Sequence, residues 1–318
     1  MHRTPPRPQR GVAVIMALLL TTLAITIVAS LFWQQQVQVR SIENQRLKLQ
    51  NEWILRGALD WAALILREDT KHSRVDNLDE PWAVPLAETH LDQYVENDQA
   101  DASFNDATLS GSISDAQARY NLTNLCPAGT IIPAEVAVFE RLLANARLDP
   151  ALAQATADLM AEAKKIPSAN TAISAAQSGT QPSPQPMNLA QLDDLLAVPG
   201  FTPEMIDKLR DWVIFLPRDT HINVNTAPAE VLSASIVTLT LSDAVALVAS
   251  RNTASFRDIP DFLLRLQGRP IQATNMLSVT SNYFLVNGKV RMSRAGLEIQ
   301  SLIERNGNNT KLLWIREL

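Results

Sequence analysis

Side chains able to do covalent, metal or acid–base chemistry are few and scattered along this 318-residue chain. The four histidines, His2, His72, His90 and His221, share no His-Glu-x-x-His or comparable ligand spacing. Cys126 is the single cysteine, so no intramolecular disulfide forms, and an isolated thiol is more often a small buried hydrophobe than a nucleophile. The sequence holds no Gly-x-Ser-x-Gly elbow, Gly-rich phosphate loop or Cys-x-x-Cys. No catalytic residue is assigned, and the chain is not expected to be an enzyme. What remains is charge: residues 68–106 carry eleven acids against Lys71 and Arg74, whereas residues 289–318 carry six bases against three acids. Segregated charge of this kind either forms solvated faces or sets the register of a contact between complementary surfaces.

The element that positions everything else begins near the N-terminus. Val12 to Trp33 is a run of 22 residues without a charge, preceded by a segment whose only charged groups are Arg3, Arg7 and Arg10. At about 1.5 Å per residue a helix of that length spans roughly 33 Å, one bilayer crossing. The basic flank predicts a cytoplasmic N-terminus with the bulk of the chain on the other side. A cleaved secretory signal has an apolar core of about 7 to 15 residues followed by small residues. Here the run is longer and passes directly into Gln34, Gln35 and Gln36. From Gln34 to about Asp69 there is no proline, Gly57 is the one glycine, and good helix formers dominate. A continuous helix from Val12 would reach roughly 85 Å. Ile42, Leu49, Trp53, Leu59, Trp61, Leu64 and Ile65 recur at three- and four-residue steps, the pattern of a helix sinking one face into a globular domain. An uncleaved single-span anchor fits the hydropathy equally well, and leaves a periplasmic binding or scaffolding protein as the alternative function.

A basic leader ending in glycine, an apolar half-helix and an amphipathic half-helix together resemble the type IV prepilin family. The resemblance implies that a prepilin peptidase cuts after Gly11 and that the new N-terminus, Val12, is N-methylated. Most pilins and pseudopilins carry a glutamate as the fifth residue after the cut, and the resemblance implies that it pairs with the amine of a neighbouring subunit inside the apolar filament core. Met16 stands there instead. A subunit with none above it needs no such partner, so Met16 is assigned as the tip-determining position.

Further motifs resemble one branch, the minor pseudopilin K family of type II secretion systems, also called general secretion pathway protein K. They are Asp76-Asn77-Leu78-Asp79-Glu80-Pro81-Trp82-Ala83, Gly111-Ser112-Ile113-Ser114-Asp115, Arg119-Tyr120-Asn121-Leu122-Thr123-Asn124-Leu125, Ile222-Asn223-Val224-Asn225-Thr226-Ala227 and Val279-Thr280-Ser281. The resemblance implies a protein at the tip of the pseudopilus that initiates assembly with minor pseudopilins I, J and H. It also implies support for export of folded periplasmic proteins across the outer membrane. The implied surroundings are the inner membrane, crossed once with the N-terminus cytoplasmic, and the pseudopilus tip after assembly. Prepilin peptidase, the inner-membrane secretion platform and the lipid bilayer are implied partners. Read on their own, the Asn and Thr residues of these motifs are helix caps and turn formers, with Thr226 an N-cap ahead of Pro228.

The expected fold class is α+β: a pilin-like long N-terminal helix packed on an antiparallel sheet, with a large inserted all-helical domain. The expected boundaries are a leader at 1–11, a transmembrane half-helix at 12–33, a pilin-like domain from 34–129 and 276–318, and a helical insert at 130–275. The charge-free, proline-dotted stretch 166–188 reads as a flexible linker. Thr108 to Asn124 reads as a β-hairpin, and helices are expected near 133–146, 149–164, 189–198, 203–213, 228–236, 241–251 and 258–266. Three antiparallel strands are expected within 282–317, with Asn287-Gly288 and Asn306-Gly307 as turns.

Two ligand classes are argued against. The region from Ile222 onward also resembles helix-hairpin-helix DNA-binding modules, which hold a phosphate on the backbone amides of a Gly-containing hairpin. Leu239-Thr240-Leu241-Ser242-Asp243 has no glycine and carries an acid, and the formal net charge of the chain is −5, so no nucleic acid is expected. The resembled family also binds calcium through an acidic loop after an Asp-Trp-Ile-Asp-x-Asp stretch. Here the matching residues are Asp158-Leu159-Met160-Ala161-Glu162-Ala163, followed by the charge-free linker, so no calcium is expected at that position. No metal ligand and no cofactor are assigned.

Overall fold

The computed structural model describes residues 10–91, 107–164, 187–266, 276–292 and 295–318. The expected linker therefore lies outside the described residues except for its last two positions, as does the leader up to Gln9. The chain divides into two compact units. One comprises Met1–Arg56, His90–Thr108 and Val290–Leu297, and the other Gly57–Thr89, Leu109–Lys289 and Glu298–Leu318.

Helix α1 runs unbroken from Arg10 to His72, 63 residues, as the absence of an internal proline allows. Its last turns bury Leu59, Ala62 and Leu66 at the spacing of one helical face. Lys71 and His72 occupy the final turn, where basic groups complement the helix dipole. A 3-10 turn at Pro81–Ala83 leads to strand β1 (Leu86–His90), and then come β2 (Ala107–Asp115) and the two-residue β3 (Tyr120–Asn121). The helical region follows with α2 (Pro133–Asn145), α3 (Ala151–Ala163), a 3-10 turn at Leu192–Ala197 and α4 (Pro203–Leu209). After β4 (Val213–Ile214) and β5 (Ile222–Asn223) come α5 (Ala229–Ser235), α6 (Leu241–Thr253) and α7 (Ile259–Arg265). Strands β6 (Leu277–Ser278), β7 (Tyr283–Met292), β8 (Ala295–Asn306) and β9 (Asn309–Glu317) complete the chain.

The main sheet has the order β1-β2-β7-β8-β9, so the whole helical region is inserted between two adjacent strands, β2 and β7. The insert is not purely helical. Parallel bridges join Tyr120 to Val213 and Asn121 to Ile214, and Ile222 to Leu277 and Asn223 to Ser278. Each bridge ties a segment inside the insert to one that flanks it. The insert and its flanking segments share one apolar core, where Tyr120 stacks on Phe139 with ring centroids 6.2 Å apart and Phe256 meets Phe262 edge-on at 5.0 Å.

Two sequence expectations fail for one reason. The hairpin expected between Thr108 and Asn124 does not form, because β2 continues through Gly111 and pairs with β1 and β7. The turn expected at Asn287-Gly288 is absent, because both residues lie inside β7. A Cβ built on Gly111 would sit 2.8 Å from the Asn287 carbonyl oxygen, so this glycine allows close approach of two strands rather than a reversal. Asn306-Gly307 does turn, with Gly307 at φ +57°.

Candidate functional site

Two groups of residues stand out, one exposed and apolar, the other buried and polar. The first is the N-terminal part of α1, which is long and apolar enough to cross a membrane, by length and composition. Gly11 and Val12 lie within its first turn, and the Val12 and Met16 side chains are 51% and 62% exposed. The large apolar side chains of this stretch are exposed through to Phe32 and Trp33. A helix bare on every face needs lipid or other helices around it. Its hydroxyls suit that environment: Thr21, Thr22 and Thr26 donate to the carbonyls of Leu18, Leu19 and Leu23 at 2.9, 3.0 and 2.8 Å. Polar atoms satisfied within the helix leave no demand on an apolar surrounding.

The second group collects residues from four of the motif segments. Asp115, at the end of β2, is 4% exposed and accepts from the Gln117 amide at 2.7 Å through Oδ1. Its Oδ2 receives the Thr226 hydroxyl at 2.5 Å, the Ser281 hydroxyl at 2.6 Å and the Asn223 Nδ2 at 3.0 Å. Asn223 Nδ2 also lies 3.1 Å from the Asp76 carbonyl and 2.9 Å from Ser281 Oγ. Asp76 in turn accepts from the Ser281 amide at 2.7 Å and pairs closely with Arg305, whose other Nη atom reaches Asp69 at 2.9 Å. Arg305 lies over the Phe284 ring, 4.5 Å from its centroid. Thr226 is therefore not the N-cap of α5, a position held by Pro228. Its hydroxyl ties the start of that helix to the end of β2. Burial pushes the Asp115 carboxyl up to about 6, against hydrogen bonds from Ser281, Thr226 and the Gln117 amide that favour its charged form. Burial and the neighbouring Glu80 likewise push Asp69 up to about 6, with Arg305 opposing.

The remaining motif residues clamp segments within the insert. Asn121 accepts the Leu216 amide at 3.0 Å and donates to the Arg218 carbonyl at 2.6 Å, while Asn124 exchanges bonds with the Thr220 backbone at 2.9 and 3.0 Å. Asn225 does the same with the Phe256 backbone, accepting at 2.8 Å and donating at 2.9 Å. Tyr120 donates to Glu135, 2.9 Å to Oε2, and burial pushes that carboxyl up to about 7. Sequence reasoning missed Arg305, Glu135 and Arg251, the last a buried guanidinium that donates to the Val224 and Ala227 carbonyls at 2.9 and 2.6 Å. Arg305 had a signal: it shares strand parity with Ile299, Ser301 and Ile303, all buried, and a guanidinium on that face of β8 needs an acid. Asp158 is exposed on α3 and accepts from Gln154 at 2.8 Å, and the loop beyond Lys164 lies outside the described residues.

Residues 118–218 and 222–280 match two sequence models, both described as type II secretion system protein K. Between them they take in half of the chain, including the clamps and the Asn223–Thr226 arm of the polar hub. The chain belongs to the type II secretion system protein K family. Relatives in that family from Pseudomonas aeruginosa and Klebsiella pneumoniae are 26% and 28% identical, covering 98% and 94% of this chain and 93% of each relative. The fold is similar to that of a chain in the crystal structure of the GspK-GspI-GspJ complex from enterotoxigenic Escherichia coli. That match has a TM-score of 0.65 and 23% identity, over 86% of this chain and 98% of the other. The protein K fold thus accounts for the long helix, the sheet and the inserted helices together.

Proposed function

We propose that this chain is a minor pseudopilin at the tip of a type II secretion pseudopilus, cut after Gly11 and N-methylated on Val12. The observation that carries the reading is the first half of α1: Val12 to Trp33 holds no ionisable side chain, and Met16 replaces the glutamate expected at the fifth position. Such a helix sits in the inner membrane without pairing to a subunit above it. It leaves the bilayer by packing among the helices of minor pseudopilins I, J and H, of which I and J share a solved complex with the similar E. coli chain. The protein acts by shape and contact, and its role is to initiate the filament and so to support export across the outer membrane.

The insert between β2 and β7 adds the second half of the reading. A helical body of this size would block addition of a further subunit beyond it. Removal of residues 130–275 is expected to disturb initiation or filament length, and normal secretion with filaments of normal length would refute the capping role. The decisive test is the intact mass and N-terminal sequence of membrane-extracted protein from a host with its prepilin peptidase. A chain beginning at Val12, with an added methyl, supports the proposal. One beginning at Met1 makes it an uncleaved anchor, and one cut behind Trp33 makes it a released periplasmic protein.

A further inference from the structure

The carboxylates where α1 ends form a second polar centre beside the hub. One oxygen from each of Asp69, Asp76 and Glu80 lies within 4.8 Å of the others. Asp76 is 2% and Glu80 8% exposed. Arg305 pairs with Asp69 and Asp76. Glu80 Oε2 accepts from the Asn77 amide at 3.1 Å and the Trp82 indole at 2.7 Å, but its Oε1 is sealed from solvent and accepts no hydrogen bond. Three carboxylates facing one guanidinium leave negative charge uncompensated, and an unbalanced buried charge costs several kcal/mol.

The geometry points to a hard divalent cation held by Asp69, Asp76 and Glu80. The donors are all oxygen, which selects calcium or magnesium over softer metals. Ligands about 2.3–2.6 Å from a central calcium lie no more than about 5 Å apart, which the observed 4.8 Å satisfies. A cavity of about 170 Å³ adjoins the centre, lined by Asp69, Thr70, Ser73, Asp76 and Arg305, with room for the waters that complete a coordination shell. Arg74 lines the same cavity, but from an exposed position, where its charge is screened by solvent. The bound ion fixes the end of α1 to the segment that carries Trp82 and, through Arg305, to β8. This centre is separate from Asp158 and the stretch of α3 that corresponds to the family's calcium position.

The test uses chelator-treated full-length protein in detergent at about pH 7.5, where free carboxylates are ionised. Ca²⁺ and Mg²⁺ are titrated while thermal unfolding is followed. Tb³⁺ is titrated separately, because a nearby indole sensitises its emission and Trp82 is bonded to Glu80. At a hundredfold excess over Kd, Ca²⁺ or Mg²⁺ is expected to raise the unfolding temperature by roughly 5 °C. Tb³⁺ emission under tryptophan excitation is expected to appear and to be displaced by Ca²⁺. Both signals should vanish in Glu80→Gln, which keeps an acceptor for Trp82, and persist in Asp158→Ala. If Glu80→Gln does not fold, Asp69→Asn takes its place. No response to any ion in the wild type overturns the proposal and leaves a proton and Arg305 to balance the cluster. A response that survives Glu80→Gln or Asp69→Asn also overturns it, because the ion then binds elsewhere.

Discussion

Val12 to Trp33 and the hub around Asp115 treat polarity in opposite ways. The half-helix presents apolar side chains outward and returns its threonine hydroxyls to its own carbonyls within three residues. The hub draws polar side chains inward and satisfies them across the chain, with Asn223 and Thr226 reaching an acid 108 and 111 residues away. Contacts with other molecules are thus left to apolar, local sequence, and contacts between parts of this molecule to polar, long-range sequence. A defect in the first should spare folding, and a defect in the second should spare processing.

The largest effect that tests this division is Gly11→Val. The added side chain should abolish peptidase cleavage, so the intact mass keeps the first eleven residues while the unfolding transition stays in place; normal cleavage would remove the processing role from Gly11. Asp115→Ala should do the reverse. It strands donors from Asn223, Thr226 and Ser281 and should cost about 3–5 kcal/mol in urea unfolding, with the N-terminus still at Val12. A cost under about 1 kcal/mol would mean that water replaces the carboxylate and that the hub is not dry.

A smaller effect should appear with pH. Burial raises the Glu135 carboxyl from 4.5 to about 7 in the folded protein. Between those values the native state holds more protons than the unfolded one, so stability should rise as pH falls through that window, by on the order of 1 kcal/mol. Asp115, raised to about 6, adds in the same direction. Glu135→Gln still accepts from Tyr120 and should flatten the profile of unfolding temperature against pH; an unaltered profile would place the titration elsewhere. The smallest effect is expected from Met16→Glu. Processing and folding should be retained and secretion reduced mildly, without conversion to a major subunit, and complete failure of membrane insertion would show that this position tolerates no charge.

Much of this was legible in the sequence where the signal is periodic. The 63-residue α1 follows from an uninterrupted run of helix formers, and β8 and β9 from alternation either side of Asn306-Gly307. Gly11, Val12 and Met16 are assigned by sequence pattern, and the fold adds that they share one exposed helix. The hub was illegible because Asn and Thr bond to nearby backbone in most settings, so Asn223 and Thr226 look like caps. Nothing local announces that Asp115, Ser281 and Asp76 complete them. Gly111 misled for a related reason: glycine permits a turn, but here the neighbouring Asn287 carbonyl requires the missing side chain.

The threonine hydroxyls of α1 set how the subunit can travel. Having donated to their own helix, Thr21, Thr22 and Thr26 keep no hydroxyl proton for a neighbour, so the segment can rotate about its axis and slide along another helix without breaking these hydrogen bonds. In the proposed pseudopilin role, passage from lipid to filament would exchange one apolar contact for another, nearly level in free energy.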